Sequence, residues 1–168
     1  LHQISHALLR LMAPFLSFTD EEAWQVVGNS ESIFMETYAK FDAPDEALLA
    51  KWSRIREIRD MANKEIETLR AAGTVGSSLQ TNLTLEVGPE DHAMLSSLGA
   101  DLKFVFITSA IKLISSEAIN TPATASNDIK CERCWHYSPD VGSDTARPTI
   151  CGRCSSNLYG SGEIRTVA

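Results

Sequence analysis

The sequence predicts a mainly α-helical chain in which a helical region is followed by a small α/β unit and a four-cysteine module. Apolar residues recur every three or four positions through much of residues 1–73, which is typical of amphipathic helices. Residues 83–87 instead alternate between apolar and polar side chains, as in a half-buried strand. All four cysteines lie within the last segment. These patterns predict domains over 1–73, 74–115 and 129–168, with a linker rich in Ser, Thr, Asn and Ala over 116–128.

The helical region is expected to contain three helices. The first covers about residues 3–13 and ends or kinks at Pro14, whose ring disfavours a continuing helix. A Thr-x-x-Glu capping box that begins at Thr19 predicts the start of the second. The third and longest helix runs over about residues 45–72, and Gly73 follows it as a natural C-cap.

The segment 74–115 has the pattern of a small β-α-β unit. The alternating strand at 83–87 is followed by Gly88-Pro89, which predicts the start of a short helix. A second short apolar element covers 102–106, and the apolar stretch 111–114 is expected to return as a strand.

Composition limits the class of protein. Hydrophobic residues make up 43% of the chain, and no apolar run approaches the length of a membrane span. The amino terminus lacks the basic and apolar segments of an export signal. Thiols kept for a metal fit a reducing compartment, so we expect a cytoplasmic protein with no membrane partner. Because the chain opens on a helical pattern without an initiating Met, we also expect a piece of a longer polypeptide.

The distribution of charge singles out two segments as possible contacts for a nucleic acid. The net charge is −7, which by itself disfavours an anionic partner. However, eleven of the fifteen Lys and Arg residues lie within 45–72 and 129–168. The second of these segments holds five basic and four acidic residues, and it is the only one with a net positive charge. A nucleic-acid surface, if present, is therefore expected on the long helix and the cysteine module.

The cysteines form two Cys-x-x-Cys pairs with sixteen residues between the pairs. Each pair places two sulfurs on one side of a tight turn, and two facing turns make the thiolate tetrahedron that Zn²⁺ prefers. The alternatives are two disulfides, free buried thiols, or an iron site of the rubredoxin type. His136 could replace a thiol, but four thiols already suffice. We therefore predict one zinc ion without an open coordination position, so that it holds structure. The predicted ligands are Cys131, Cys134, Cys151 and Cys154.

Common catalytic motifs are absent from the sequence. It contains neither the Gly-x-x-x-x-Gly-Lys-Ser/Thr phosphate loop nor the Gly-x-Gly-x-x-Gly dinucleotide fingerprint, and no nucleophile-elbow pattern appears. The residues alone therefore predict a helical region, an α/β unit and a zinc ribbon that bind a partner without catalysing a reaction.

Two stretches of the sequence resemble class I aminoacyl-tRNA synthetases. Ala7–Pro14 followed by Ser17–Trp24 is similar to the start of their anticodon-binding helical domain, a likeness shared with the valine, leucine and methionine enzymes. Lys130–Tyr137 and Ile150–Cys154 closely resemble the C-terminal zinc module of bacterial isoleucyl-tRNA synthetases. The resemblance covers nearly the whole chain and departs from the family at 30–44 and 115–128.

The resemblance implies a parent enzyme that uses ATP to attach isoleucine to its tRNA. The His-Ile-Gly-His and Lys-Met-Ser-Lys-Ser motifs of the class I active site do not occur here. The catalytic domain with its ATP site, and the editing domain, would therefore lie upstream in the same polypeptide. The chain itself would bind isoleucine tRNA and contribute no catalytic residue, in a protein expected to be a monomer.

Arginines and one tryptophan are the candidates for tRNA contacts that this resemblance suggests. Guanidinium groups pair with phosphates, and aromatic rings stack on unpaired bases. The alternative interpretation is a solvated, mixed-charge face on the long helix and an indole ring that only covers the metal. The candidates are Arg54, Arg56, Arg59, Arg133, Trp135, Arg147 and Arg153.

Two other classes of function remain open. The first is a DNA-repair glycosylase, whose C-terminal finger is a related four-cysteine hairpin, and Arg147–Thr149 before Cys151 resembles it. The helical first half does not resemble the catalytic segment that such an enzyme needs. The second is a zinc-stapled protein-interaction domain with no role in nucleic-acid binding.

Overall fold

Helices dominate the computed structural model of the chain, which describes residues 1–28 and 31–163. The described residues contain six α-helices and five short strands, so the prediction of a mainly helical chain with a small α/β unit is confirmed in outline. The chain divides into two units, Leu1–Asp45 and Glu46–Ala168. Residues 164–168, which the sequence analysis included in the cysteine module, lie outside the described part. No described helix is both long and apolar enough to cross a membrane.

The first unit contains α1 (His2–Met12), α2 (Ser17–Val26) and a single 3₁₀ turn at Ile33–Met35. The small core of this unit consists of Ala13, Trp24 and Ile33. An ion pair of 2.9 Å between Arg10 and Glu36 ties α1 to the irregular segment that follows the 3₁₀ turn. The first predicted helix is thus confirmed to within a residue at each end.

The predicted start of the second helix at Thr19 is wrong. The N–H of Asp20 already donates to the carbonyl oxygen of Leu16 (2.8 Å), which places Thr19 inside the first turn of α2. A residue in that position cannot cap the helix. The neighbouring Glu21, which was not part of the predicted capping box, accepts hydrogen bonds from Ser32 Oγ and Ile33 N, each at 2.9 Å.

The second unit begins with the longest helix, α3 (Glu46–Ala71). Its bounds confirm the prediction for 45–72. Gly73 has a positive φ of 71°, and the N–H of Thr74 donates to the carbonyl oxygen of Leu69 (2.9 Å). Glycine adopts this left-handed conformation without steric cost, so Gly73 ends the helix as expected.

A three-stranded sheet forms the centre of the second unit. It consists of β1 (Thr81–Val87), β2 (Ala110–Ser115) and β3 (Ala123–Ala125) in the order β2-β1-β3. β1 and β2 are parallel and are connected through α4 (Pro89–Ser96) and α5 (Leu102–Phe106), which confirms the predicted β-α-β unit. β3 runs antiparallel to β1, although the sequence analysis had placed 123–125 within a linker.

The helix α3 packs on this sheet and shares its core. Ile55, Ile58 and Ala62 of α3 are buried together with Leu85 of β1 and Phe106 of α5. The apolar stripe of a helix must be covered, and here the sheet covers it. For that reason the structural division falls before α3, whereas the sequence analysis placed a boundary at 73/74.

The cysteine module completes the second unit. It contains a short hairpin of β4 (Ile129–Lys130) and β5 (Tyr137–Ser138), a loop, and α6 (Gly152–Tyr159). The first cysteine pair lies in the turn of the hairpin, and the second pair lies at the start of α6. These two locations bring the four sulfurs together.

Candidate metal centre and nucleic-acid interface

The four cysteine side chains converge on one point. Their Sγ atoms all lie within 4.8 Å of one another, and the sulfurs of Cys134 and Cys151 are 3.8 Å apart. Four metal–sulfur bonds of about 2.3 Å in a tetrahedron give sulfur–sulfur distances of about 3.8 Å. The cluster therefore fits a tetrahedral metal ion. All four cysteines are free thiols, so the disulfide alternative is not the arrangement observed.

Local backbone hydrogen bonds shape the cysteine turns. The N–H of Trp135 donates to the carbonyl oxygen of Cys131, and the N–H of Cys131 donates to that of His136, both at 2.9 Å. Gly152 comes so close to Asp140 that a Cβ atom would lie 2.8 Å from the carboxylate oxygen Oδ2. The carboxylate accepts a hydrogen bond of 3.0 Å from the Gly152 N–H, so the glycine makes room for the contact between the loop and α6.

The surroundings of the sulfurs favour a thiolate at one position. Burial would raise the pKa of the Cys131 thiol, but the N–H groups of Cys134, Cys151 and Arg133 point to its sulfur and lower that pKa to about 6. Burial raises the pKa of the Cys134 thiol to about 12. A bound divalent cation would keep all four sulfurs deprotonated, which is the form that ligates metals.

Two guanidinium groups lie beside the sulfur cluster. Nη1 of Arg133 donates to the Sγ of Cys154 over 3.5 Å. The pKa of Arg153 is raised mainly by its hydrogen bond to Glu163, and the charges of Cys134 and Cys154 add to the shift. A four-thiolate zinc site carries a net charge of about −2. Part of the positive charge of these arginines would therefore offset the charge of a metal ion bound by four thiolates.

The candidate Trp135 lies on the surface immediately after the first cysteine pair. The residue is 60% exposed, so much of the indole ring is open to solvent. Its φ angle is 66°, a left-handed conformation that costs a non-glycine residue about 1–2 kcal/mol. The Nζ of Lys130, which the sequence analysis did not include, lies 5.6 Å from the ring centroid. Its position directly before Cys131 is the sequence feature that could have identified Lys130 as a candidate.

The structure places the other candidates in two groups. Arg147 belongs to the cysteine module, where its guanidinium lies 3.6 Å from the ring centroid of Tyr159 and pairs with Asp144 at 2.7 Å. Arg153 of the same module is bound to Glu163 through two hydrogen bonds. The cysteine module thus contains Arg133, Trp135, Arg147 and Arg153, whereas Arg54, Arg56 and Arg59 lie on α3.

The arginines of α3 differ in their availability. Arg54 makes two hydrogen bonds to the carboxylate of Asp91 in α4, at 2.9 and 2.8 Å, and a third to Glu57 at 2.7 Å. It therefore ties the helix to the α/β unit and has little capacity left for a phosphate. Arg56 is exposed, and Arg59 is half-buried. Among the α3 candidates, Arg56 is the one that the structure leaves on the surface.

Comparison with known proteins adds the decisive observation for the first half. Residues 1–86 match the family model described as the anticodon-binding domain of tRNA ligase. The chain belongs to this family of anticodon-binding domains. Residues 128–157 also match a model described as the zinc finger found in FPG and IleRS. The anticodon-binding match disfavours the glycosylase alternative, because that enzyme would need a different first half.

Individual relatives of this anticodon-binding chain agree with both matches. It is 51% identical over 174 residues to isoleucine–tRNA ligases of Paraburkholderia xenovorans and Paraburkholderia phytofirmans. It is 48% identical over 177 residues to the isoleucine–tRNA ligase of Ralstonia pickettii. In each case the comparison covers 100% of the chain and 18% of the relative. The chain therefore spans less than a fifth of the length of these relatives.

Proposed function

We propose that the chain is the tRNA-binding, C-terminal portion of an isoleucine–tRNA ligase and that it binds the anticodon side of isoleucine tRNA. One observation carries the proposal: an anticodon-binding match over residues 1–86 and a zinc-finger match over residues 128–157 occur in one chain. The parent enzyme would attach isoleucine to its tRNA with ATP. Its catalytic and editing domains would lie upstream of this chain, in a monomeric cytoplasmic protein.

We further propose that one zinc ion is bound by Cys131, Cys134, Cys151 and Cys154. The tetrahedral spacing of the sulfurs supports this assignment. Four thiolates leave no position for water or substrate, so the ion has a structural role. It would join the hairpin of the first cysteine pair to the start of α6, and so fix the surface that carries Trp135. Arg133, which donates to the sulfur of Cys154, would help to balance the charge of the site.

The proposed recognition combines stacking with phosphate contacts. An anticodon loop presents unpaired bases, which proteins read by stacking on aromatic rings and by hydrogen bonds to base edges. The exposed ring of Trp135 is suited to stacking, and Lys130 beside it could neutralise a phosphate. Arg56 on α3 supplies a further exposed cation. Phosphate contacts contribute affinity without sequence information, whereas the stacked bases contribute to specificity.

Titration of the 168-residue chain with RNA tests the proposal. The zinc-loaded protein is mixed with isoleucine tRNA, with a non-cognate tRNA and with duplex DNA, at about 50 and about 200 mM salt. We expect the tightest binding to isoleucine tRNA and weaker binding at the higher salt concentration. Equal affinity for all three nucleic acids, or affinity that does not depend on salt, would contradict the proposal and favour a protein-interaction domain.

A further inference from the structure

Two side chains outside the cysteine module hold the residues that follow Trp135. The backbone N–H of Tyr137 donates to the hydroxyl oxygen of Ser109 over 2.6 Å. The same hydroxyl donates to the carbonyl oxygen of Leu79 over 2.5 Å. Ser109 is only 5% exposed, so these bonds are shielded from water. This buried hydroxyl thus joins the hairpin of the cysteine module to the start of the sheet.

The second side chain is that of Phe104 in α5. Its ring meets the ring of His136 edge-on, with centroids 5.3 Å apart and an interplanar angle of 80°. The guanidinium carbon of Arg153 lies 4.7 Å from the centroid of the same ring. Glu163 in turn holds Arg153 through two hydrogen bonds. Phe104 therefore contacts both halves of the module, the hairpin through His136 and α6 through Arg153.

A strained turn connects these two residues along the chain. Ile107, between Phe104 and Ser109, has a φ of 55°, in the left-handed region that β-branched residues avoid. The N–H of Thr108 donates to the carbonyl oxygen of Lys103 over 3.0 Å. The N–H of Ser109 donates to the carbonyl oxygen of Thr81 over the same distance. This turn ends α5 and leads directly into β2. Strain of this kind persists where the surrounding structure over-determines the backbone.

We propose that Ser109 and Phe104 are positioning residues that fix the direction in which Trp135 faces its RNA. This inference rests on the proposed function, which it deepens. His136 and Tyr137 are the two residues directly after Trp135, and each is held by one of the two positioning residues. The backbone that carries the indole is therefore fixed on both sides, by the sulfur cluster before it and by the α/β unit after it. A ring that is already oriented loses less freedom when it stacks on a base.

Substitution of both residues tests the inference in the zinc-loaded full chain. Ser109→Ala removes the acceptor of the Tyr137 N–H, and Phe104→Leu removes the ring but keeps apolar bulk. We expect each variant to bind isoleucine tRNA about two- to tenfold more weakly, which is the range for ordering one large side chain on binding. The zinc content should stay at one ion per chain. Hydrogen exchange at residues 135–137 should become faster.

Matched variants serve as controls. Ser115→Ala, an exposed serine at the other end of β2, should change neither exchange nor affinity. Phe104→Tyr keeps the aromatic ring and should restore the affinity that Phe104→Leu loses. Such a rescue would not be expected if any change at this position merely destabilised the fold.

The outcomes separate this inference from the proposed function. If Ser109→Ala and Phe104→Leu bind RNA as tightly as the unmodified chain, the positioning role is overturned and the proposed function stands. Loss of zinc in parallel with loss of affinity would also overturn it, because the residues would then serve the metal site. If the unmodified chain shows no preference for isoleucine tRNA, the proposed function fails before any variant is compared, and the positioning role fails with it.

Discussion

Replacing Trp135 by glycine separates the two roles that its indole ring could have. The residue has a φ of 66°, and a non-glycine residue loses about 1–2 kcal/mol in that conformation. Glycine removes this strain, but its more flexible unfolded chain costs about 0.5–1 kcal/mol. Because the residue is 60% exposed, little buried area is lost. The free energy of unfolding of Trp135→Gly should therefore stay within about 1 kcal/mol of the original value.

RNA binding should respond differently to the same substitution. Stacking of one base on an aromatic ring contributes about 1–3 kcal/mol, so the dissociation constant for isoleucine tRNA should rise by about five- to 150-fold. Trp135→Ala is the matched control, because alanine also lacks the ring but keeps the strained backbone. It should lose as much RNA affinity as the glycine variant. Its free energy of unfolding should be about 1 kcal/mol lower than that of the glycine variant.

Urea unfolding at constant zinc concentration and fluorescence titration with labelled tRNA measure the two quantities. The reasoning fails if Trp135→Gly binds RNA as tightly as the unmodified chain while its unfolding midpoint falls. That result would mean that the ring shelters the metal centre and does not contact RNA.

Asp91→Asn should lower the free energy of unfolding by about 1 kcal/mol at pH 7, since the Arg54–Asp91 pair is partly exposed. Hydrogen bonds from Arg54 lower the pKa of Asp91, so the contribution is complete above the unfolded carboxyl pKa of about 3.9 and disappears as the pH falls through the lower folded pKa. If the urea midpoints of Asp91→Asn and of the unmodified chain differ by the same amount at pH 7 and at pH 3, the proposed role of the ion pair is contradicted. Ile107→Gly should be more stable than Ile107→Ala by about 1 kcal/mol, because both variants lose the side chain and only glycine relieves the strained φ of 55°; equal urea midpoints for these two variants would count against the strain. A strong chelator should abolish hydrogen-exchange protection in 129–163 but leave most of the helical circular dichroism, because the sulfur cluster and the core of α3 and the sheet are separate clusters; collapse of the whole spectrum would show that they depend on one another.

Local patterns predicted the elements that depend on local interactions. The length of α3 follows from its apolar period and from Gly73, and both were readable from neighbouring residues. The parallel pair of β1 and β2 followed from two apolar runs separated by a helical stretch. The clustering of the cysteines was predictable for the same reason, since each Cys-x-x-Cys turn is itself a local structure.

Interactions between distant residues explain what the sequence analysis missed. β3 is a strand of three residues with little apolar character, and it exists because β1 offers it a free edge. The packing of α3 on the sheet depends on Ile58, which is fully buried, whereas the apolar residue Trp52 of the same helix is 37% exposed. The spacing of apolar residues in the sequence predicts the period of the apolar face of a helix, but it does not predict which element packs on that face.

The same limit applies to the candidate tRNA contacts. Arg54 pairs with Asp91, a residue 37 positions away, and no local pattern announces that pairing. Arg147 likewise contacts Asp144 and Tyr159 of the module. Arg153 contacts Glu163 of the module and the ring of Phe104 in α5. A count of arginines therefore overestimates the cations that are free for RNA. Trp135 is different, because its exposure and left-handed backbone are properties of the folded turn.

The most direct test of the proposed function compares the two ends of isoleucine tRNA. The dissociation constant of the zinc-loaded chain is measured for the isolated anticodon stem-loop and for an acceptor-stem hairpin of the same tRNA, at one salt concentration. We predict that the stem-loop retains most of the affinity of the whole tRNA and that the acceptor hairpin binds at least about tenfold more weakly, a difference of about 1.4 kcal/mol. Equal binding of the two RNAs, or tighter binding of the acceptor hairpin, would contradict the assignment of this chain to the anticodon side.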